Sequence, residues 1–300
     1  AQASALEARL NQMPISAGRV RVYVAMRYLR PSIDDALSEM AAAGVRRIVT
    51  LTLFPHWSRA TTGSWRKAFE TALGSPRWAP RRFAVSHIDR YPDDPGYLDA
   101  LAGRVREALA AFPPASRDRA VILFSAHGLP KKMVDAGDPY VEDIERTRRG
   151  LVERLRAPNP VTLGYQSRSG PVRWIGPDTA ETIRELGAKG VKDLLVVPIS
   201  FVSDHIETLY EIDILFAGLA REAGIEHYRR ADTLNLDPGF VDALARLVAR
   251  HLDEDAAVGD DVHRRRQLQG GGRIAVAEGD GRLLRSLQLV GRLDQAAALP

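Results

Sequence analysis

Short runs of nearly continuous apolar residues, each followed by a stretch of helical period, limit what this chain can fold into. The runs are VRVYVAM (20–26), RRIVTLTLF (46–54), RRFAVSHI (81–88), AVILF (120–124), VTLGY (161–165) and DLLVVPISF (193–201). Between them lie amphipathic segments such as SIDDALSEMAAAG (32–44) and DTAETIRELGAKG (178–190). A strand that is apolar on both faces must be covered on both, which is the condition of a parallel sheet in an α/β fold.

The pattern also repeats. PGYLDALAGRV (95–105) is matched by PGFVDALARLV (238–248) at an offset of 143, and AGVRRIVTLTLF (43–54) by KGVKDLLVVPIS (189–200) at an offset of 146. LEARLNQMPISAGRVRVYVAMRY is echoed by GLVERLRAPNPVTLGYQSR. Several matches in the same order indicate two similar Rossmann-like domains, with the loops at the carboxyl ends of their parallel strands facing each other across a cleft. The expected division is 1–90 plus 238–253 for the first domain and 91–237 for the second. The second half opens with AVILFSAHGLP (120–130), which has no counterpart in the first. A strand, its loop and part of a helix are therefore expected to be missing at the N-terminus, leaving the first sheet one strand short. Residues 254–300 are charged and Gly-rich without a sustained apolar period, and are expected to be a disordered tail; LLRSLQLVGRL within them has the pattern of a short helix.

Composition narrows the chemistry. The 300 residues contain no cysteine, so neither disulfides, thiolate zinc sites nor a cysteine-held iron–sulfur cluster can be built from them. A metal would have to be held by His, Asp, Glu or carbonyl oxygen. The formal charge of +4 suits an anionic small molecule or a lipid surface, and equally a plain solvated surface. No nucleic-acid-reading motif is present, so nucleic acid is not an expected partner. No apolar stretch approaches the roughly 20 residues of a membrane span.

His127 stands out because it follows a wholly apolar run and precedes Gly128 and Pro130, which stiffen the turn. A neutral imidazole held there could bind a metal or take a proton near neutral pH. The repeat-related loop reads VSDHIETLYEID (202–213). A helix beginning at Asp204 would bring Asp204, Glu207 and Glu211 within about 60° of one another on its circumference, as a stripe of hard oxygen ligands. Asp204 and Glu207 also fit a capping box, which accounts for two of the three acids. His205 falls off the stripe and is expected to orient its neighbours. The segments AMRYLRP, FPHWSRATTGS and YQSRSGPVRWIGP add Arg27, Tyr28, Trp57, Ser58, Thr61, Thr62, Gln166, Ser167 and Trp174 at strand ends. Together they describe a cleft for a flat apolar ligand with anionic edges.

FSAHGLP…GDPY (124–140), GYQSRSGP…W-IGP (164–177), FVSDHIETLYEID (201–213), AMRY…P and TTGS together resemble the ferrochelatases, which insert ferrous iron into a porphyrin. The resemblance runs from about residue 5 to about 252, and the SAHGLP and SDHIETLYE segments are its most specific parts. It implies two Rossmann-like domains around a porphyrin cleft, with His127 and Glu207 as the catalytic pair, each a metal ligand or proton acceptor. It implies a metal path or supporting role for Asp204, His205 and Glu211, and porphyrin contacts for Met26, Arg27, Tyr28, Ser167 and Trp174. The implied substrates are Fe2+ and protoporphyrin IX, the latter because MRY-x-x-P resembles that branch more than the one using coproporphyrin. A cytoplasmic enzyme is expected, with loose association at the inner face of the membrane. The family's Y-P-x-Y-S is F-P-H-W-S here, and the expected N-terminal gap falls on the family's first strand and an apolar segment that closes over the porphyrin. A non-catalytic porphyrin or haem binder, or a chelatase acting on another tetrapyrrole, are the alternatives.

Overall fold

In the computed structural model the six apolar runs all become parallel strands; residues 1–15, 18–263 and 274–277 are described, with side chains through residue 253. The strands are β1 (Val22–Val24), β2 (Arg47–Thr52), β3 (Ala84–Ile88), β4 (Val121–His127), β5 (Val161–Gln166) and β6 (Asp193–Pro198), joined by β7 (His227–Arg230) and β8 (Ile274–Ala277). They form two sheets of four, ordered β1-β8-β2-β3 and β5-β4-β6-β7, every pair parallel.

The helices are α1 (Gln2–Leu10), α2 (Ile33–Ala42), α3 (Thr62–Leu73), α4 (Pro95–Ala110), α5 (Lys131–Asp135), α6 (Tyr140–Leu155), α7 (Thr179–Ala188), α8 (Ala217–Glu222) and α9 (Pro238–His263). A π-helical segment, Glu207–Phe216, runs into α8. Local chemistry sets several starts. Ser32 caps α2 by accepting from the Asp35 N–H while Asp35 accepts from the Ser32 N–H, and Asp94 and Asp178 cap α4 and α7 with one bond each.

The gap expected in the first sheet lies between β1 and β2, and residues 274–277 occupy it. The tail expected to be disordered thus supplies a strand, and residues 254–263 continue α9. The physical reason is that β2 is a central strand, with Ile48, Val49 and Leu51 fully buried, so its free edge needs a partner. The short helix expected at LLRSLQLVGRL lies outside the described residues.

One cluster of buried side chains runs through both halves, from Leu6, Val49 and Leu51 to Phe124, Leu195, Phe240 and Leu252. Helix α9 packs on α1 and α4. It is pinned by Arg9 to Asp242 at 2.6 Å and by Arg250 to Asp94 at 2.9 Å. The loop after β2 fastens the halves together. Trp57 N–H donates to Asp143 at 3.0 Å, Ser58 Oγ and Arg59 N–H both donate to Asp138, and His56 Nε2 meets Thr147 Oγ1 at 2.8 Å. Ser58 is wholly buried in this clasp, and Thr62 Oγ1 lies 3.2 Å from Thr52 Oγ1. These two hydroxyls therefore hold structure together instead of lining a cleft.

Candidate active site

His127 ends β4, where the side chains of Ile122 to Ala126 are buried. Its backbone N–H donates to Ser200 Oγ at 2.9 Å, which ties it to the end of β6. Gly128 then passes so close to β5 that its N–H donates to Gln166 O at 2.8 Å. A Cβ there would meet that oxygen at 2.9 Å and the Trp174 ring at 3.3 Å. The stiff turn anticipated after the strand is thus a close backbone contact. Burial holds the His127 imidazole below its ordinary pKa; the nearby Glu207 carboxylate pulls it upward and His205 pushes it down. His127 is neutral at physiological pH. Phe201 stands edge-on to it at 6.1 Å and edge-on to His205 at 4.5 Å, so one aromatic ring packs against both imidazoles.

The loop after β6 does not build the expected carboxylate stripe. Helical turns start at Glu207, not Asp204, and they are π turns. Two of the three acids are engaged by framework partners. Asp204 accepts from Asn235 Nδ2 at 2.8 Å and pairs with Arg230 at 3.1 Å. Burial alone would raise its pKa, but Asn235, Arg230 and Thr208 outweigh this and hold it below the ordinary carboxylate value. Because the segment begins at Glu207 with Ile206 at its N-cap, Asp204 is not placed to form a capping box with Glu207. Glu211 accepts from Ser167 N–H at 2.8 Å, Ser167 Oγ at 2.6 Å and Gln166 Nε2 at 2.9 Å. Its carboxylate holds Ser167, whose φ of 64° is left-handed.

Glu207 is left in a different position. It is buried, and its Oε2 lies 2.9 Å from His205 Nδ1, yet the angles make no hydrogen bond and both atoms are without a hydrogen-bond partner. Buried polar atoms of this kind are uncommon and call for a ligand or a proton. Gln166 braces the same residue from behind, donating Nε2 to the Glu207 carbonyl at 3.0 Å while its Oε1 accepts from Ser125 at 2.6 Å. Gln166 therefore links β4, β5 and the π-helical segment; its polar character inside a buried strand end was the sequence signal for it. Among the described residues no group of three or more His, Asp or Glu side chains is arranged to hold a metal ion.

At the end of β1, Met26 N–H donates to Pro31 O at 2.8 Å and Trp65 Nε1 fixes the Ala25 carbonyl at 2.9 Å. The Arg27 guanidinium lies 4.7 Å over the Tyr28 ring, and Arg27 Nε is buried without a hydrogen-bond partner. Tyr28 is exposed, and Trp174 is half-buried with Nε1 unpartnered. Both tryptophan and arginine thus keep donors in hand.

The ferrochelatase family model matches residues 1–252. The chain belongs to the ferrochelatase family. A ferrochelatase of Geotalea uraniireducens is 47% identical over 255 residues, covering 85% of this chain and 76% of that protein. A ferrochelatase of Synechocystis is 45% identical, covering 85% of this chain and 64% of that protein. Among solved structures, SirB from Bacillus subtilis with Fe3+ superposes with a TM-score of 0.63 at 14% identity, covering 85% of this chain and 90% of that one. That likeness concerns the fold, which this ferrochelatase-family chain shares with the chelatases. No helix among the described residues is long and apolar enough to cross a membrane.

Proposed function

We propose that this chain inserts Fe2+ into protoporphyrin IX, with His127 and Glu207 as its catalytic residues. The observation that carries the reading is the unpartnered Glu207 Oε2 beside unpartnered His205 Nδ1, buried at the end of the sheet that also delivers a neutral His127. A free porphyrin loses two pyrrole N–H protons as the divalent metal enters, so the ring gains Fe2+ and releases two protons. A neutral imidazole accepts a proton, and a carboxylate with a free oxygen binds the cation or takes the second proton. His205 orients Glu207. Asp204 and Glu211 support the site through its framework, Asp204 by fixing the loop before Glu207 and Glu211 by fixing Ser167.

Arg27, stacked on Tyr28 with a donor to spare, suits a carboxylate on the rim of the macrocycle, and Trp174, Ser167 and Met26 border the same ligand. Anaerobic insertion of Fe2+, with Zn2+ as a stable surrogate, into protoporphyrin IX tests the reading. The intact chain should metallate the ring. His127→Ala and Glu207→Gln should each lose on the order of 100-fold or more while remaining folded. Binding of porphyrin without metallation by the intact chain would make it a porphyrin binder.

A further inference from the structure

The π-helical segment is held from both edge strands of the second sheet, β5 and β7. From β5, Gln166 Nε2 reaches the Glu207 carbonyl and the Glu211 carboxylate. From β7 come Tyr228 and Arg230. They stand two residues apart and so share a face of the strand, the half-buried one, while His227 and Arg229 between them and before them are exposed. Tyr228 Oη donates to Ile212 O at 2.8 Å. In a π turn that carbonyl would receive Ala217 N–H, which donates to Ile214 O instead, so the phenol supplies the donor there. The Arg230 guanidinium grips Asp213 with two bonds, Nε to Oδ1 at 2.7 Å and Nη2 to Oδ2 at 3.1 Å. Its Nη1 reaches Asp204 Oδ1 at 3.1 Å.

We infer that Arg230, seconded by Tyr228, is a positioning residue for Glu207. Asp204 and Asp213 lie nine residues apart, with His205 and Glu207 between them. One guanidinium ties both acids, so this stretch is closed into a short loop by a single cation, which removes much of its freedom before any ligand arrives. Glu207 Oε2 and His205 Nδ1 have no hydrogen bond of their own to hold them, and their placing therefore depends on the backbone that carries them. Arginine suits the task where lysine does not. Its planar fork engages Asp213 with two donors and still has Nη1 for Asp204, whereas an ammonium is a single point of charge. The Arg230 side chain is only 11% exposed, so solvent screens these pairs little. Burial works against its charge, and the bonds to Asp213 with the nearby Asp204 outweigh that cost. The inference rests on the catalytic role proposed for Glu207 and adds a support for it on the edge strand β7.

The test uses the full chain, Arg230→Lys, Glu207→Gln and the double variant, with Zn2+ insertion into protoporphyrin IX and hydrogen exchange read on each. Arg230→Lys keeps the charge and loses the fork. It should lower kcat by about 10-fold with the KM for porphyrin unchanged. Amides of residues 205–213 should exchange about 10-fold faster while those of β4–β6 keep their protection. Because Arg230 acts through Glu207, the lysine should cost nothing further in the Glu207→Gln background, followed in single turnovers. An equal loss in both backgrounds, unchanged exchange over 205–213, or exchange accelerated through the whole sheet overturns the assignment. Tyr228→Phe keeps the ring and removes only the donor to Ile212 O; exchange and kcat like those of the intact chain would overturn the part given to Tyr228. If the intact chain binds porphyrin without metallating it, the proposed reaction falls, and the exchange experiment by itself still decides whether Arg230 holds the segment.

Discussion

His205 Nδ1 and Glu207 Oε2 lie 2.9 Å apart without forming a hydrogen bond, inside a site where nearly every other carboxylate oxygen is engaged. The two atoms are close enough to share a proton or a cation, and neither is committed to the framework. Replacing His205 by Gln is expected to lower metal insertion by about 10- to 100-fold, the effect of removing a group that orients a ligand, and to leave the fold intact. Zinc insertion rates beside a thermal melt check this; a loss as deep as that of Glu207→Gln would give His205 a direct part in the reaction.

Glu211 behaves as a brace. Its carboxylate receives three donors from Gln166 and Ser167. Glu211→Gln should destabilise the protein by about 1–3 kcal/mol, because two oxygens that only accept become one acceptor and an amide donor facing other donors. Denaturant unfolding measures the loss. If instead stability holds and only the KM for the metal rises, the residue lies on a metal path.

Arg27 carries a buried, unpartnered Nε and a guanidinium stacked on the exposed Tyr28, which suits it to the proposed porphyrin contact. Arg27→Ala should raise the KM for porphyrin while kcat changes little, since a contact to the ring's edge is equally strong before and during metal insertion. Steady-state kinetics with a porphyrin whose carboxylates are esterified should then show no difference between the two proteins.

Gly128 leaves no room for a side chain, with Gln166 O at 2.9 Å and Trp174 Cε3 at 3.3 Å from the position a Cβ would take. Gly128→Ala must push the loop off β5, costing about 1–3 kcal/mol and moving His127. A lowered Tm together with reduced insertion is expected; a normal Tm would mean that the loop yields freely.

Acid should weaken the clasp between the halves. Burial lowers the His56 pKa to about 3, and its Nε2 faces Thr147 Oγ1, whose own hydrogen goes to Pro92 O. The Thr147 oxygen must then accept from His56 Nε2–H, and with burial keeping the ring neutral its single proton sits on Nε2. In the unfolded chain His56 protonates near its ordinary 6.5. Between about pH 6.5 and 3 the unfolded state binds the extra proton. This site's contribution to stability is therefore present above pH 6.5 and declines by about 1.4 kcal/mol per pH unit as the pH falls below it. Urea unfolding of the protein and of His56→Gln across pH 7 to 4 should show the difference between them narrowing at that slope.

The sequence by itself determined the alternation of strands and helices, the two-fold repeat and the placing of His127 at a strand end. Each rests on local apolar period, small residues at turns and similarity between segments of one chain, all properties of neighbouring residues. The family motifs likewise singled out Glu207. Which carboxylate would be free was decided only in three dimensions. Asp204, Glu207 and Glu211 look alike along the chain, and what separates them is Asn235 and Arg230 on one side and Ser167 on the other, together with a π-helical start that no local period announced. The same holds for the first sheet. Four residues in a charged, glycine-rich tail carry little signal of their own, and they become a strand because β1 and β2 present two unpaired backbone edges on either side of them.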